Sequence, residues 1–387
     1  MKAEDIRNIA VIGAGEMGHG IAQAALMAGI PVNLYDTKEE YLDRGVQRIY
    51  NSLDKFLMKN KITNQTYEFC KTSLNPTTNL ENAVRNVQFV IEAVPEVFEI
   101  KKDVFKKLAK STSSNTILAS NTSNMSISEI AKEIEFSNRI VGVHFFNPVV
   151  LMKLVEVIRG EQSSDEAMEI SYDLCKRLDK VPVRVEKDSP GFIVNRINAP
   201  ARVYLGSIVD NGYSTPEEID SYFKKQGDPM GPFELIDYVG ADTVYYSSIY
   251  RADHLHPDFG PFKSLEEKIK NGELGKKTGK GFYDWSQGRP TIDLTKNTDQ
   301  IDRYDIQYIK LNEGCKLIEE GIATAKDIDT AMVLGTSDKK GPFETCKDFD
   351  ADIIINRLNH LADKYNKEIF RPTKLLENNF KSIINVT

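Results

Sequence analysis

No apolar run in this 387-residue chain approaches the ~18–20 residues that a helix needs to cross a membrane. The opening residues, Met1-Lys2-Ala3-Glu4-Asp5, lead straight into a strand-like run and do not resemble a secretory signal. Cysteine is sparse: Cys70, Cys175, Cys315 and Cys346 are widely separated and form no C-x-x-C pair. That pattern argues against a disulfide scaffold or a zinc framework. No metal is expected, and the thiols read as the reduced cysteines of a cytoplasmic protein. Basic charge is not in excess either. A net charge of −7 argues against a nucleic-acid partner, while leaving room for a local basic patch that holds a phosphorylated ligand. The chain is too long for one ordinary core, so two or three domains are expected.

What is present starts with Ile9-Ala10-Val11-Ile12, a strand that breaks at Gly13-Ala14-Gly15-Glu16-Met17-Gly18 and resumes with helical spacing at Ile21, Ala24, Ala25 and Ala28. Strand, G-x-G-x-x-G turn and helix together form the dinucleotide-binding pattern. Gly13 permits the tight turn, Gly15 lets a pyrophosphate approach the backbone, and Gly18 lets helix and strand pack closely. A second strand, Pro31 to Tyr35, ends at Asp36, where a ribose-binding acid is expected. Its carboxylate favours NAD over NADP, and Lys38 nearby softens that preference. Residues 39–71 read as a helical insertion, with helices over Glu39–Lys59 and near Gln65–Lys71. Strands are expected near Thr72–Asn75 and over Val87–Ile91, Thr116–Ala119, Arg139–Phe146, Leu154–Ile158 and Val181–Val185.

Two charges sit inside these apolar runs. His144 closes one strand and Glu156 lies within the next. Neither belongs in a buried strand without a partner. An imidazole oriented by a carboxylate makes a general base for neutral pH; a plain salt bridge between strands is the competing explanation. Ser120-Asn121-Thr122-Ser123 forms a polar cluster at a strand's C-terminal end, the edge where ligands sit in open α/β sheets.

Beyond Asp188-Ser189-Pro190-Gly191-Phe192 the alternation of strand and helix stops, and the remainder reads as mostly helical, with a loop-rich stretch over 257–290. Gly212-Tyr213-Ser214-Thr215 through Asp220 is echoed by Gly321-Ile322-Ala323-Thr324 through Asp329, and Gly231-Pro232-Phe233-Glu234 by Gly341-Pro342-Phe343-Glu344. The offset of roughly 110 residues in both cases indicates a duplicated helical subdomain. The expected architecture is an α/β Rossmann-type N-terminal domain (1–187) followed by two related all-α subdomains (188–290 and 291–387).

The chain resembles the L-3-hydroxyacyl-CoA dehydrogenases, in the long form of 3-hydroxybutyryl-CoA dehydrogenase-like members. The motifs that carry this are the Gly13–Gly18 turn, Ser120-Asn121-Thr122-Ser123, His144-Phe145-Phe146-Asn147-Pro148, Lys153-Leu154-Val155-Glu156, Pro190-Gly191-Phe192-Ile193-Val194-Asn195-Arg196, Gly231-Pro232-Phe233-Glu234 and the Gly275–Tyr283 loop. The resemblance implies reversible NAD-dependent oxidation of (S)-3-hydroxyacyl-CoA, at a cleft between the sheet edge and the first helical subdomain. It casts His144 as the base, Glu156 as its partner, and Ser123 and Asn195 as donors to the substrate oxygens. Gly13, Gly15, Glu16, Met17, Gly18, Asp36, Glu96, Lys101, Asn121, Ser123, Asn147 and Lys277 would hold the cofactor; Ser52, Lys59 and Ser123 would contact the acyl-CoA. Blander roles remain open for Ser123 (a strand-end cap), Asn195 (a helix cap) and Lys59 (a solvated lysine). The second copy carries no Pro-Gly-Phe-x-x-Asn-Arg block, so it is expected to pack without an active site of its own. It would cover a surface used by a second subunit in short members, making a homodimer less necessary while leaving it open. Only a short tail follows Asn379, so no hydratase activity is expected. Two alternatives stand beside this reading: a sugar-acid dehydrogenase on the same scaffold, and a non-enzymatic nucleotide-binding relative.

Overall fold

The computed structural model describes residues 1–336 and 338–378; the tail beyond Asn379 lies outside them. By packing, the chain forms two compact units. The first comprises Met1–Phe192 with the short pieces Gly321–Ala323 and Leu334–Thr336, and the second comprises the remainder.

The first unit is built on eight strands: β1 (Ile9–Ile12), β2 (Val32–Tyr35), β3 (Leu74–Thr77), β4 (Phe89–Glu92), β5 (Ile117–Ser120), β6 (Ile140–Phe145), β7 (Leu154–Ile158) and β8 (Val181–Val185). They form one sheet in the order β3-β2-β1-β4-β5-β6-β7-β8. The interior strands β1, β4, β5, β6 and β7 are buried at every position, as expected when helices cover both faces of a parallel sheet. Those helices are α1 (Gly18–Met27), α2 (Glu39–Met58), α3 (Asn64–Thr72), α4 (Leu80–Val84), α5 (Phe98–Ser111), α6 (Ile127–Ala131) and α7 (Asp165–Arg177). All neighbouring strands run parallel except β6 and β7, which are antiparallel. β3 lies two residues later than the expected Thr72–Asn75. It is an edge strand, so Pro76 is tolerated there without a missing ladder donor.

The second unit is helical among its described residues: α8 (Val194–Asp210), α9 (Pro216–Lys225), α10 (Pro232–Val239), α11 (Ala241–His254), α12 (Lys263–Lys270), α13 (Arg303–Glu319), α14 (Ala325–Gly335), α15 (Pro342–Cys346) and α16 (Ala351–Tyr365). The stretch read as loop-rich contains α12. That helix is only eight residues long, with Leu265 and Ile269 as its apolar positions and Leu265 alone buried, so its period spans too few turns to stand out among the surrounding glycines and prolines.

The internal repeat is visible as repeated hydrogen bonds. Thr215 Oγ1 accepts from the Glu218 amide, and Thr324 Oγ1 accepts from that of Asp327. Asp220 accepts the amides of Phe233 and Glu234 at 2.9 and 2.7 Å; Asp329 accepts those of Phe343 and Glu344 at 2.9 and 2.8 Å. A Cβ on Gly231 or Gly341 would collide with that aspartate, which is why both copies keep glycine there. The two long helices, α8 and α13, are each 17 residues. They pack antiparallel, and the third residue of each bonds the eleventh of the other: Arg196 to Glu313 at 2.9 Å, and Tyr204 to Asp305 at 3.1 Å.

Candidate active site

The glycine-rich turn is built as its sequence requires. Gly13 has φ +104°, donates to the Tyr35 carbonyl at 2.8 Å, and leaves so little room that a Cβ would lie 2.6 Å from the Ala93 oxygen. A Cβ on Gly18 would overlap the Gly13 carbonyl, whereas one on Gly15 would meet nothing within 4 Å. The turn is thus packed shut at Gly13 and Gly18 and open at Gly15, and no side chain caps the first amides of α1. Both features suit a diphosphate at a helix N-terminus. Asp36, at the end of β2, accepts from the amides of Ala14 (2.8 Å) and Thr37 (2.7 Å), which hold its carboxylate beside the turn. Glu16 pairs with Arg48 of α2 at 2.9 Å. The residues present therefore fit an NAD molecule.

At the same C-terminal edge of the sheet, beyond β4 and β5, a buried polar network joins two loops. Glu92, the last residue of β4, is fully buried; it accepts from Lys101 Nζ (2.8 Å), the Val94 amide (2.7 Å) and Ser120 Oγ (2.6 Å). Lys101 is only 1% exposed and also meets Glu96 at 3.2 Å. Glu96 accepts from Thr122 Oγ1 (2.6 Å) and from the Ser123 amide (3.0 Å) and hydroxyl (3.3 Å). Burial opposes the charge on Glu96, but Lys101 and these donors more than offset it, and the carboxyl sits below its ordinary value. Ser123 Oγ also accepts from Asn124 Nδ2 at 2.8 Å. Asn121 Oδ1 accepts the Phe145 amide at 2.8 Å, pinning the end of β6 to the loop after β5.

His144 and Glu156 are direct cross-strand partners in the β6–β7 ladder, so both side chains emerge on one face. His144 Nδ1 lies 2.7 Å from Glu156 Oε2; the histidine is 6% exposed and the glutamate 0%. The ring packs on Phe146 and Phe192, at centroid distances of 4.5 and 5.9 Å. A carboxylate only accepts, so the proton of the neutral ring belongs on Nδ1 and Nε2 carries the free lone pair.

The remaining expected residues fall as follows. Asn147 is exposed just after β6; Ser52 and Lys59 lie two turns apart, within and at the C-cap of α2. Lys277 and Asn195 belong to the second unit. Lys277 pairs with Asp242 and lies in a loop that Asp237 holds by accepting the Phe282 and Tyr283 amides at 2.9 and 2.8 Å. Asn195 occupies the first turn of α8. Glu92 was not anticipated as a site residue, and Ser120 and Thr122 were read only as members of the polar cluster at the strand end, without individual roles. The signal was available: a glutamate ending an apolar strand raises the same question at Glu92 as at Glu156. All four cysteines are buried with thiols pushed up by burial, Cys70 to about 11 and Cys175 to about 12. Among the described residues there is no His/Cys/Asp/Glu cluster of metal-binding form, and no helix is long and apolar enough to cross a membrane.

Residues 8–189 match the family described as 3-hydroxyacyl-CoA dehydrogenase, NAD binding domain; residues 191–285 and 305–382 match 3-hydroxyacyl-CoA dehydrogenase, C-terminal domain. The chain is 40% identical to the mitochondrial hydroxyacyl-coenzyme A dehydrogenase of Rattus norvegicus over 286 residues, which cover 72% of this chain and 91% of that protein. It is 31% identical to 3-hydroxyadipyl-CoA dehydrogenase of Escherichia coli strain K12, over 96% of this chain and 97% of that protein. Among solved structures it is similar to 3-hydroxybutyryl-CoA dehydrogenase from Escherichia coli K12, with a TM-score of 0.87 and 28% identity across 99% of this chain and 100% of that one.

Proposed function

The chain belongs to the NAD-dependent 3-hydroxyacyl-CoA dehydrogenase family, and from that premise we propose that it interconverts (S)-3-hydroxyacyl-CoA and 3-oxoacyl-CoA with His144 as general base and Glu156 as its partner. The observation that carries the reading is the buried 2.7 Å contact between the two, which leaves Nε2 as the proton acceptor. When bound, NAD supplies the acceptor for the hydride that leaves C3. His144 Nε2 takes the hydroxyl proton as the C3–H pair departs and the C3–O double bond forms; in the reverse direction it returns that proton. Glu156 stabilises the imidazolium in between. Ser123 Oγ and the Asn195 amide donate to the C3 oxygen or the thioester, where negative charge gathers.

For the cofactor, Gly13, Gly15, Glu16, Met17 and Gly18 take the diphosphate, and Asp36 takes the ribose hydroxyls. Glu96, Lys101, Asn121, Asn147 and Lys277 take the nicotinamide half. Ser52 and Lys59 bind coenzyme A from one face of α2. In this reading residues 1–187 form the NAD-binding domain, 188–290 the first helical domain, and 291–387 a degenerate second copy that makes a homodimer less necessary. The reduced, buried thiols support a cytoplasmic setting.

The test is NADH oxidation with acetoacetyl-CoA, run beside longer 3-oxoacyl-CoAs and a free 3-oxo acid. Turnover that requires the CoA moiety is expected. Turnover of the free acid alone would move the activity to a sugar-acid type of substrate, and nucleotide binding without any turnover would make the protein non-enzymatic.

A further inference from the structure

We infer that the second helical copy positions Asn195: Glu313 of α13 and Glu320 at its C-cap act through Arg196 to fix the first turn of α8, in which the asparagine sits. The inference rests on the role proposed above for Asn195 and adds the residues that hold it in place.

Arg196 is 3% exposed and its guanidinium is matched by two carboxylates. Nε donates to Glu313 Oε1 at 2.9 Å, while Nη1 and Nη2 donate to the two oxygens of Glu320 at 2.7 and 2.6 Å. Glu313 is itself buried, and its second oxygen accepts from Lys316 Nζ at 3.2 Å; that ammonium also donates to the Ile369 carbonyl at 2.7 Å. A planar fork held on three N–H groups cannot rotate or slide, unlike a single point contact. Because Arg196 directly follows Asn195 in the same helical turn, fixing one fixes the backbone of the other.

Local helix stability does not account for these charges. Arg196 is the third residue of α8, at the positive end of the helix dipole, and Glu320 caps α13 at its negative end. Each charge sits at the terminus that disfavours it. Nor does helix packing demand the arrangement. The pseudo-equivalent station, the second and third residues of α13, is Tyr304-Asp305, where Asp305 accepts from Tyr204 of α8 and from both Nε and Nη2 of Arg357 of α16. Within α8 and α13 themselves, the Asn-Arg dipeptide stands only in the first turn of α8, which carries the proposed active-site asparagine; at the other station the arginine comes from a third helix, α16. The acids that hold it come from the copy that has no such block.

The test is a cycle between Glu320 and Asn195. Glu320 is 46% exposed, so Glu320→Gln should fold, and Arg196→Lys, which keeps the charge but loses the fork, is the second variant. Each is expected to lower kcat/KM for acetoacetyl-CoA by about tenfold, given that misplacement by ~1 Å can cost ~10²-fold, while the NADH dissociation constant stays unchanged. In an Asn195→Ala background, neither should lower it further. Tyr204→Phe, which breaks the pseudo-equivalent contact, should lower the thermal midpoint and leave kcat/KM alone. An effect of Glu320→Gln that persists undiminished in Asn195→Ala, or no effect on kcat/KM at all, would overturn the positioning role only. Full activity in Asn195→Ala itself would overturn both this inference and the role given to Asn195.

Discussion

Replacing Glu156 by Gln is the sharpest test of the catalytic pair, because it removes a charge without removing volume. In the neutral ring, the amide oxygen of glutamine can still accept from Nδ1–H. What is lost is the attraction between the carboxylate and the imidazolium that forms as Nε2 takes its proton. The two groups touch at 2.7 Å, which puts their charge centres about 4 Å apart. At an effective dielectric of about 20, which describes charge pairs in proteins even at buried sites, that attraction is about 4 kcal/mol. Since about 1.4 kcal/mol is tenfold in rate, its complete loss lowers kcat roughly 10³-fold. If glutamine instead turns its NH₂ toward Nδ1, the ring proton moves to Nε2 and the base is blocked, which acts in the same direction. The assay is kcat for acetoacetyl-CoA at saturating NADH, with NADH affinity measured separately by fluorescence. A Glu156→Gln enzyme with kcat near that of the unchanged protein would refute the argument and leave Glu156 a structural partner.

Three further outcomes follow from the geometry. Gly231→Ala forces the Asp220 carboxylate away from the Phe233 and Glu234 amides and from Tyr283, so stability to urea should fall by about 1–3 kcal/mol, as overpacking typically costs; an unchanged midpoint would show that the loop yields freely. Gly15→Ala meets no neighbouring atom, so the thermal midpoint should hold while NADH binding weakens; equal affinity would place the diphosphate elsewhere. Burial opposes the charge on Glu313, but Lys316 and Arg196 outweigh it and hold its carboxyl below the ordinary 4.5. The folded chain therefore binds fewer protons there than the unfolded one. The stabilisation is complete above 4.5 and is lost as pH falls below it, so the drop in urea midpoint from about pH 6 to about pH 3.5 should be shallower in Glu313→Gln.

Most of the sheet was legible because its strands are short apolar runs bounded by turns; β1, β7 and β8 lie where the apolar runs place them. Errors gathered where tertiary context decides. β3 was expected two residues too early, because Asn75 and Pro76 blur its pattern and its bounds are set by pairing to β2. α12 is eight residues long and repeats its apolar period only once, from Leu265 to Ile269, too briefly to be separated from the loop around it. The strand reversal between β6 and β7 has no local marker, yet it is what places His144 opposite Glu156. The two charges were conspicuous in apolar runs; their shared face was not. Glu92 shows the opposite failure: a buried strand-end carboxylate with three donors, passed over because Glu96 and Lys101 nearby drew attention as ligands. The Arg196 triad could not be read at all, since its partners lie more than a hundred residues downstream, beyond any local pattern.

The single antiparallel ladder in this sheet also ties the catalytic pair to one strand register. Side chains alternate between faces with a period of two, so a slip of one residue between β6 and β7 would send Glu156 to the face opposite His144. No intermediate register would give a half-competent pair. β7 is tied on its other side to β8 through all five of its residues, which discourages such a slip. The meeting of His144 with Glu156 is therefore all-or-none in register: a ladder that pairs these two residues carries the whole contact, and any odd shift carries none of it.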